Sequence, residues 1–173
     1  SICFTLFFME IELWDNGICS GQHITIILFY NKNHKKTSSM RLFIALNLPE
    51  NIKKYFFNIQ KQLPAQGLIF NHNPHITLKF LEDIPKNKLP EIIKTLDHLS
   101  VKNQHPGEIT INNIGYFGKG DKIKVIWLGV IVDKLINHLQ AEIENQLEKI
   151  GYPKEKKEFK PHLTLARVKN RSN

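Results

Sequence analysis

The chain reads as an α+β protein of two strand-and-helix halves that face each other across a cleft. Three observations predict this. From Met40 onward, stretches with strand-like apolar patterning take turns with stretches of helical period. One short phrase occurs twice, once in each half. The length of 173 residues, 42% of them apolar, suits a single domain with one sizeable core.

The elements follow in order. Leu42–Leu48 is a strand, and Pro49-Glu50 opens a helix whose buried stripe is Ile52, Phe56, Ile59 and Leu63. His75–Leu81 is a second strand. A second helix starts near Asn87, with Leu89, Ile92, Ile93, Leu96 and Leu99 at helical spacing. Glu108–Ile114 and Lys122–Val132 are strands joined by the hairpin residues Gly118-Lys119-Gly120-Asp121, so the two should pair. Asp133 caps a long helix with Leu135, Leu139, Ile143, Leu147 and Ile150 on one face, and Gly151 ends it. Pro161–Val168 is the last strand.

The repeated phrase carries the chemistry. Asn73-Pro74-His75-Ile76-Thr77-Leu78-Lys79-Phe80 and Phe159-Lys160-Pro161-His162-Leu163-Thr164-Leu165-Ala166-Arg167 share Pro-His-apolar-Thr-Leu. Strand side chains two apart share a face, so His75 projects with Thr77 and His162 with Thr164, while Ile76 and Leu163 turn inward. Set side by side, the strands would line one cleft with two imidazoles and two hydroxyls, the equipment for acid–base chemistry on a phosphate diester. A single His-x-Thr in a strand is mostly packing, and Gln22-His23-Ile24-Thr25-Ile26 shows it without the preceding proline. The longer shared phrase and its place at a strand start in both copies favour the paired reading.

These residues resemble a known family. Two His-x-Thr motifs, written His-Ile-Thr-Leu-Lys-Phe-Leu and Pro-His-Leu-Thr-Leu-Ala-Arg, look like those of the RNA 2′,3′-cyclic phosphodiesterases, also called 2′-5′ RNA ligases, of the two-histidine phosphoesterase superfamily. The resemblance runs from Met40-Arg41-Leu42-Phe43-Ile44-Ala45 through Gly115-Tyr116-Phe117 and Val125-Ile126-Trp127-Leu128-Gly129 to Arg167-Val168. It implies a bilobal two-sheet fold with helices outside and a central cleft, and it supplies which strands adjoin. It also implies hydrolysis of RNA 2′,3′-cyclic phosphate ends to a 2′-phosphate by metal-independent acid–base catalysis, with no cofactor. His75 would donate a proton to the leaving oxygen and His162 would accept one from water, an order that the sequence does not give. Histidine suits both tasks because its ordinary pKa is about 6.5. Thr77 and Thr164 would hydrogen-bond the non-bridging phosphate oxygens.

Arg167 matches an arginine of the family's second motif and would bind phosphate or ribose. Strict alternation places it on the face opposite His162, five residues back, so a bulge, a twist or the strand end must bring it round. Lys79, in phase with His75 and Thr77, is an alternative cation. Two other readings stand beside hydrolysis: a 2′-5′ RNA ligase using the same histidines, and a non-catalytic RNA-binding module retaining the fold.

The remaining features bound the reading. Members of the family begin with a phrase like Met40-Arg41-Leu42-Phe43, so residues 1–39 are read as an N-terminal extension or upstream leader outside a domain at 40–173, with Thr25–Tyr30 a strand candidate inside it. The family continues past the second motif into a helix and a strand, so the resemblance implies a sheet truncated at its C-terminal end, with an exposed edge. Residues 1–39 carry Lys32, Lys35 and Lys36 against Glu10, Glu12 and Asp15, so the net charge of +8 belongs to the rest. A basic domain suits a polyanion such as an RNA or nucleotide with a 2′,3′-cyclic phosphate end.

Cys3 and Cys19 both precede Met40, which removes a disulfide framework or a cysteine-based metal site from the domain. His72 and His75 are three apart in an extended segment and would not converge on a metal as they would on a helix, so no metal is expected. No apolar run reaches the ~20 residues of a spanning helix, and a cytoplasmic monomer without membrane attachment is expected. Tyr116, Phe117 and Trp127 could include a base-stacking platform, but aromatic residues in strands are more often core, and they are not assigned a role.

Overall fold

The computed structural model describes residues 2–14, 23–30, 39–102 and 107–169. Its elements are β1 (Ile2–Trp14), β2 (His23–Tyr30), β3 (Ser39–Asn47), α1 (Glu50–Gln60), β4 (Leu68–Phe70), β5 (His75–Pro85), α2 (Leu89–Lys102), β6 (Gly107–Phe117), β7 (Val125–Val132), α3 (Lys134–Lys149) and β8 (His162–Val168). The fold is α+β.

The strands run in the order β4-β8-β7-β6-β1-β2-β3-β5. β1 is the join. Its residues Ile2 to Leu6 pair antiparallel with β6, whereas Phe7 to Trp14 pair parallel with β2, with a register irregularity between Phe7 and Met9. Two sheets therefore share β1: one continues through β2 and β3 to β5, the other through β6, β7 and β8 to β4. Segments that the sequence assigns to an extension outside the domain thus lie within the ladder, between β6 and β3. Both are rich in the β-branched and aromatic residues that fit a pleated surface.

The helices follow their apolar periods. α1 buries Ile52 and Phe56, and α2 buries Ile92, Leu96 and Leu99. α3 buries Ile136, Leu139, Ile143 and Leu147. Its stripe starts one residue later than the sequence predicts: Ile136 is 2% exposed and Leu135 is 46% exposed. The Asp133 carboxylate explains the helix start, accepting the Ile136 N–H at 2.9 Å and, through its other oxygen, the Glu108 N–H of β6 at 2.8 Å. β6 and β7 pair antiparallel as expected. Their connection is as long as predicted but displaced by three residues, because β6 runs on to Phe117 and β7 begins only at Val125, after a 3-10 turn at Gly120–Lys122. The short β4, which the sequence reading does not include, pairs with β8.

Helices and motif strands are exchanged across the seam between the halves. α1, from the first half, packs on β8, and α3, from the second, packs on β5. Each motif strand is thus supported by a helix of the other half. No helix among the described residues is long and apolar enough to cross a membrane.

Candidate active site between the two motif strands

Each motif begins with proline, and the proline has a local effect. It confines the preceding residue to extended backbone, and the carbonyl of that residue accepts from the histidine two places on. His75 Nδ1 lies 2.8 Å from the Asn73 oxygen, and His162 Nδ1 lies 2.7 Å from the Lys160 oxygen. A carbonyl can only accept, so each Nδ1 carries the hydrogen and each Nε2 is the nitrogen able to exchange a proton.

The strands then alternate as the spacing predicts. Ile76 and Leu163 are fully buried, while His75, Thr77, His162 and Thr164 are half-buried on the other face. Both motif strands break this alternation at the same place. Across β3 and β5, Ala45 faces Thr77 and Ile44 faces Lys79, which leaves Leu78 extra. Across β7 and β8, Trp127 faces Thr164 and Ile126 faces Ala166, which leaves Leu165 extra. The extra residue is a β-bulge three places after each histidine.

The bulges settle the two cations. In β8, Leu165 and Ala166 are both buried, and Arg167 pairs with Val125 on the face that Trp127 shares with Thr164. Arg167 therefore joins His162 and Thr164, and its charge reaches His75. In β5 the same reset turns Lys79 inward, which corrects the in-phase reading of that residue. Lys79 is 1% exposed, its ammonium paired with Glu144 of α3 and donating to the Pro153 oxygen at 2.8 Å. Phe80 takes the place in β5 that Arg167 takes in β8, and is 57% exposed.

Aromatic rings hold the imidazoles. Phe43 stacks on His75 with centroids 5.0 Å apart, and Phe117 meets His162 edge-on at 5.0 Å with Trp127 behind at 6.1 Å. Gly115 leaves room for that indole: a Cβ there would stand 2.3 Å from the ring. Burial lowers the pKa of His75 below its ordinary value. The hydrogen bond to Asn73 opposes the shift, and the charges of His162 and Arg167 add to it. A cleft of about 870 Å³ opens beside the motifs; Thr77, Phe80, Phe117, Gln140, Lys160 and His162 are among its lining residues, whereas His75, Thr164 and Arg167 lie outside it. His72 is exposed, and among the described residues no three His, Cys, Asp or Glu side chains converge on a possible metal position.

Three polar residues that the sequence reading does not single out bind the halves together. Gln60 of α1 donates to the Leu165 oxygen and to the Asn71 oxygen, both at 2.8 Å. Gln140 of α3 donates to the Leu78 oxygen at 3.3 Å. A glutamine from each half thus grips the bulge of the other half's motif. Asn71 donates through Nδ2 to the Thr164 oxygen at 3.0 Å and through its backbone N–H to the Leu165 oxygen at 2.9 Å. Gln60 did leave a trace in the sequence, as a polar residue on the apolar stripe one turn after Phe56.

The chain is similar to several known proteins. The chain is 41% identical to the RNA 2′,3′-cyclic phosphodiesterase of Methanocaldococcus jannaschii over 132 residues, 75% of this chain and 72% of that one. It is 34% identical to the Thermotoga maritima protein of the same name over 134 residues, 75% and 71% of the two chains. Among solved structures, a Thermus thermophilus protein superposes with a TM-score of 0.65 at 26% identity, covering 78% of this chain and 77% of that one. Escherichia coli LigT complexed with 3′-AMP superposes with a TM-score of 0.60 at 26% identity, with the same coverage. The family model of the 2′-5′ RNA ligase superfamily matches residues 49–172, a span that holds both bulged motif strands and the helices that grip them. The chain belongs to that superfamily.

Proposed function

We propose that the site formed by the two motif strands hydrolyses RNA 2′,3′-cyclic phosphate ends to 2′-phosphates by acid–base catalysis with His75 and His162. The observation that carries this reading is the matched pair of imidazoles, each with Nδ1 committed to a backbone carbonyl and a threonine two residues on. The names of the relatives support the substrate class.

In the proposed step a water oxygen bonds to phosphorus as the bond from phosphorus to O3′ breaks. His162 Nε2 takes the proton from the water, and His75 Nε2–H gives one to O3′. Thr77 and Thr164 donate to the non-bridging oxygens, and the Arg167 fork offsets their charge. The lowered pKa of His75 favours its neutral form. A phosphate anion beside it favours the charged form, so binding substrate is what loads the donor.

The test uses an oligonucleotide ending in a 2′,3′-cyclic phosphate, in excess chelator, with identification of the terminal product. A 2′-phosphate is expected. A 3′-phosphate, or activity abolished by the chelator, would refute the assignment.

A further inference from the structure

Through the sheets, the path from β5 to β8 crosses β3, β2, β1, β6 and β7. Any error of twist or register along that path would move one histidine relative to the other. A much shorter path crosses the seam directly. The Asn73 carbonyl that fixes His75 also accepts from Asn71 Nδ2 at 3.2 Å, and the Asn73 N–H returns to Asn71 Oδ1 at 3.2 Å. The same Nδ2 donates to the backbone oxygen of Thr164.

We propose that Asn71, seated by Gln60, is the positioning residue that holds His75 against the second motif. The proposal rests on the acid–base reading of the site. Its logic is geometric. Both polar atoms of the Asn71 side chain are engaged, one with Thr164 and Asn73, the other with Asn73 alone. With two donors on it, the Asn73 oxygen has both lone pairs occupied, so it cannot swing without breaking a bond. Gln60, 7% exposed, ties Asn71 and Leu165 to α1, so the Arg167 bulge and the His75 anchor share one support. His162 is held differently: Lys160 fixes its Nδ1, and the Pro161 oxygen accepts the Val130 N–H of β7. The two histidines should therefore respond differently to loss of the Asn71 side chain, which is the signature of positioning as opposed to general structural support.

The test replaces Asn71 by Ala and, separately, by Asp, and follows the imidazole nitrogens of both histidines by NMR through a pH titration. Hydrolysis of a nucleoside 2′,3′-cyclic phosphate is measured alongside. Asn71→Asp keeps the size and the acceptor for Asn73 but removes the donor, so it reports even if the alanine variant does not fold. The expected result is that His75 loses its single Nδ1–H form and shifts its titration while His162 keeps both. The value of kcat should fall on the order of 10²-fold, the effect of a displacement of about 1 Å, with KM within about twofold. Unchanged His75 signals in a folded variant, or equal shifts at both histidines, would overturn the proposal. If the unsubstituted protein hydrolyses nothing, the functional reading fails, and the NMR comparison still decides the positioning.

Discussion

With Nδ1 fixed on a carbonyl, each imidazole has one nitrogen for proton exchange, and protonation alone decides whether that nitrogen gives or takes a proton. In the proposed mechanism, removing either ring removes one half of the transfer. His75→Ala and His162→Ala are each expected to lower kcat by about 10²-fold or more, measured with the cyclic-phosphate oligonucleotide. Thr77→Ala and Thr164→Ala should be milder, since a hydrogen bond to a charged group contributes about 1.5–3 kcal/mol. The buried state of His75 also has a pH signature. Its pKa is lowered in the folded chain, so the unfolded chain binds the proton more readily. Stability is therefore complete above about pH 6.5 and declines as the pH falls toward the lowered native value. Denaturant unfolding at a series of pH values should show this slope, and His75→Gln should reduce it.

At the scale of the element, the bulge is the device that both motif strands share. It lets one strand carry a buried leucine, a second buried side chain and then a return to the cleft face. β8 uses the return for Arg167. β5 uses the inward position for Lys79, whose ion pair with Glu144 ties the strand to α3 and, through the Glu155 N–H, to the loop before the second motif. Loss of one partner from a buried pair destabilises by about 3–5 kcal/mol, because the other charge is left without compensation. Lys79→Met should lower the thermal midpoint clearly, and the double variant Lys79→Met, Glu144→Leu should recover part of the loss. Equal midpoints for the single and double variants would argue against the pair as the cause. Helices were readable at this scale because three apolar stripes repeat at helical spacing. The one-residue displacement in α3 arose because Leu135 and Ile136 are both apolar, and the Asp133 cap selects Ile136 for the core.

At the scale of the whole molecule, the two halves are joined in two ways: through β1 and β2 in the ladder, and across the seam by side chains among which are Gln60, Asn71, Gln140 and the Lys79–Glu144 pair. The family match, from residue 49, lies entirely after the first join. A chain beginning at Met40 is therefore expected to fold and to hydrolyse the cyclic phosphate, with a lower thermal midpoint because β3 and β6 each lose a paired edge. A Met40 chain with no cooperative unfolding transition would place β1 and β2 in the essential core.

The sequence by itself determined the parts governed by local spacing. The period of two sets each histidine with its threonine, the helical stripes set α1 to α3, and the duplicated Pro-His phrase marks the two strands as a pair. What it left to the tertiary structure are the contacts between residues far apart in the chain. The place of Arg167 depended on a bulge, and a bulge is visible only against the partner strand. Lys79 was diverted by a carboxylate sixty-five residues away on α3. Gln60 and Asn71 gained their part from backbone oxygens of β8, which no local pattern announces, because a hydrogen bond between distant segments exists only once the chain has brought them together.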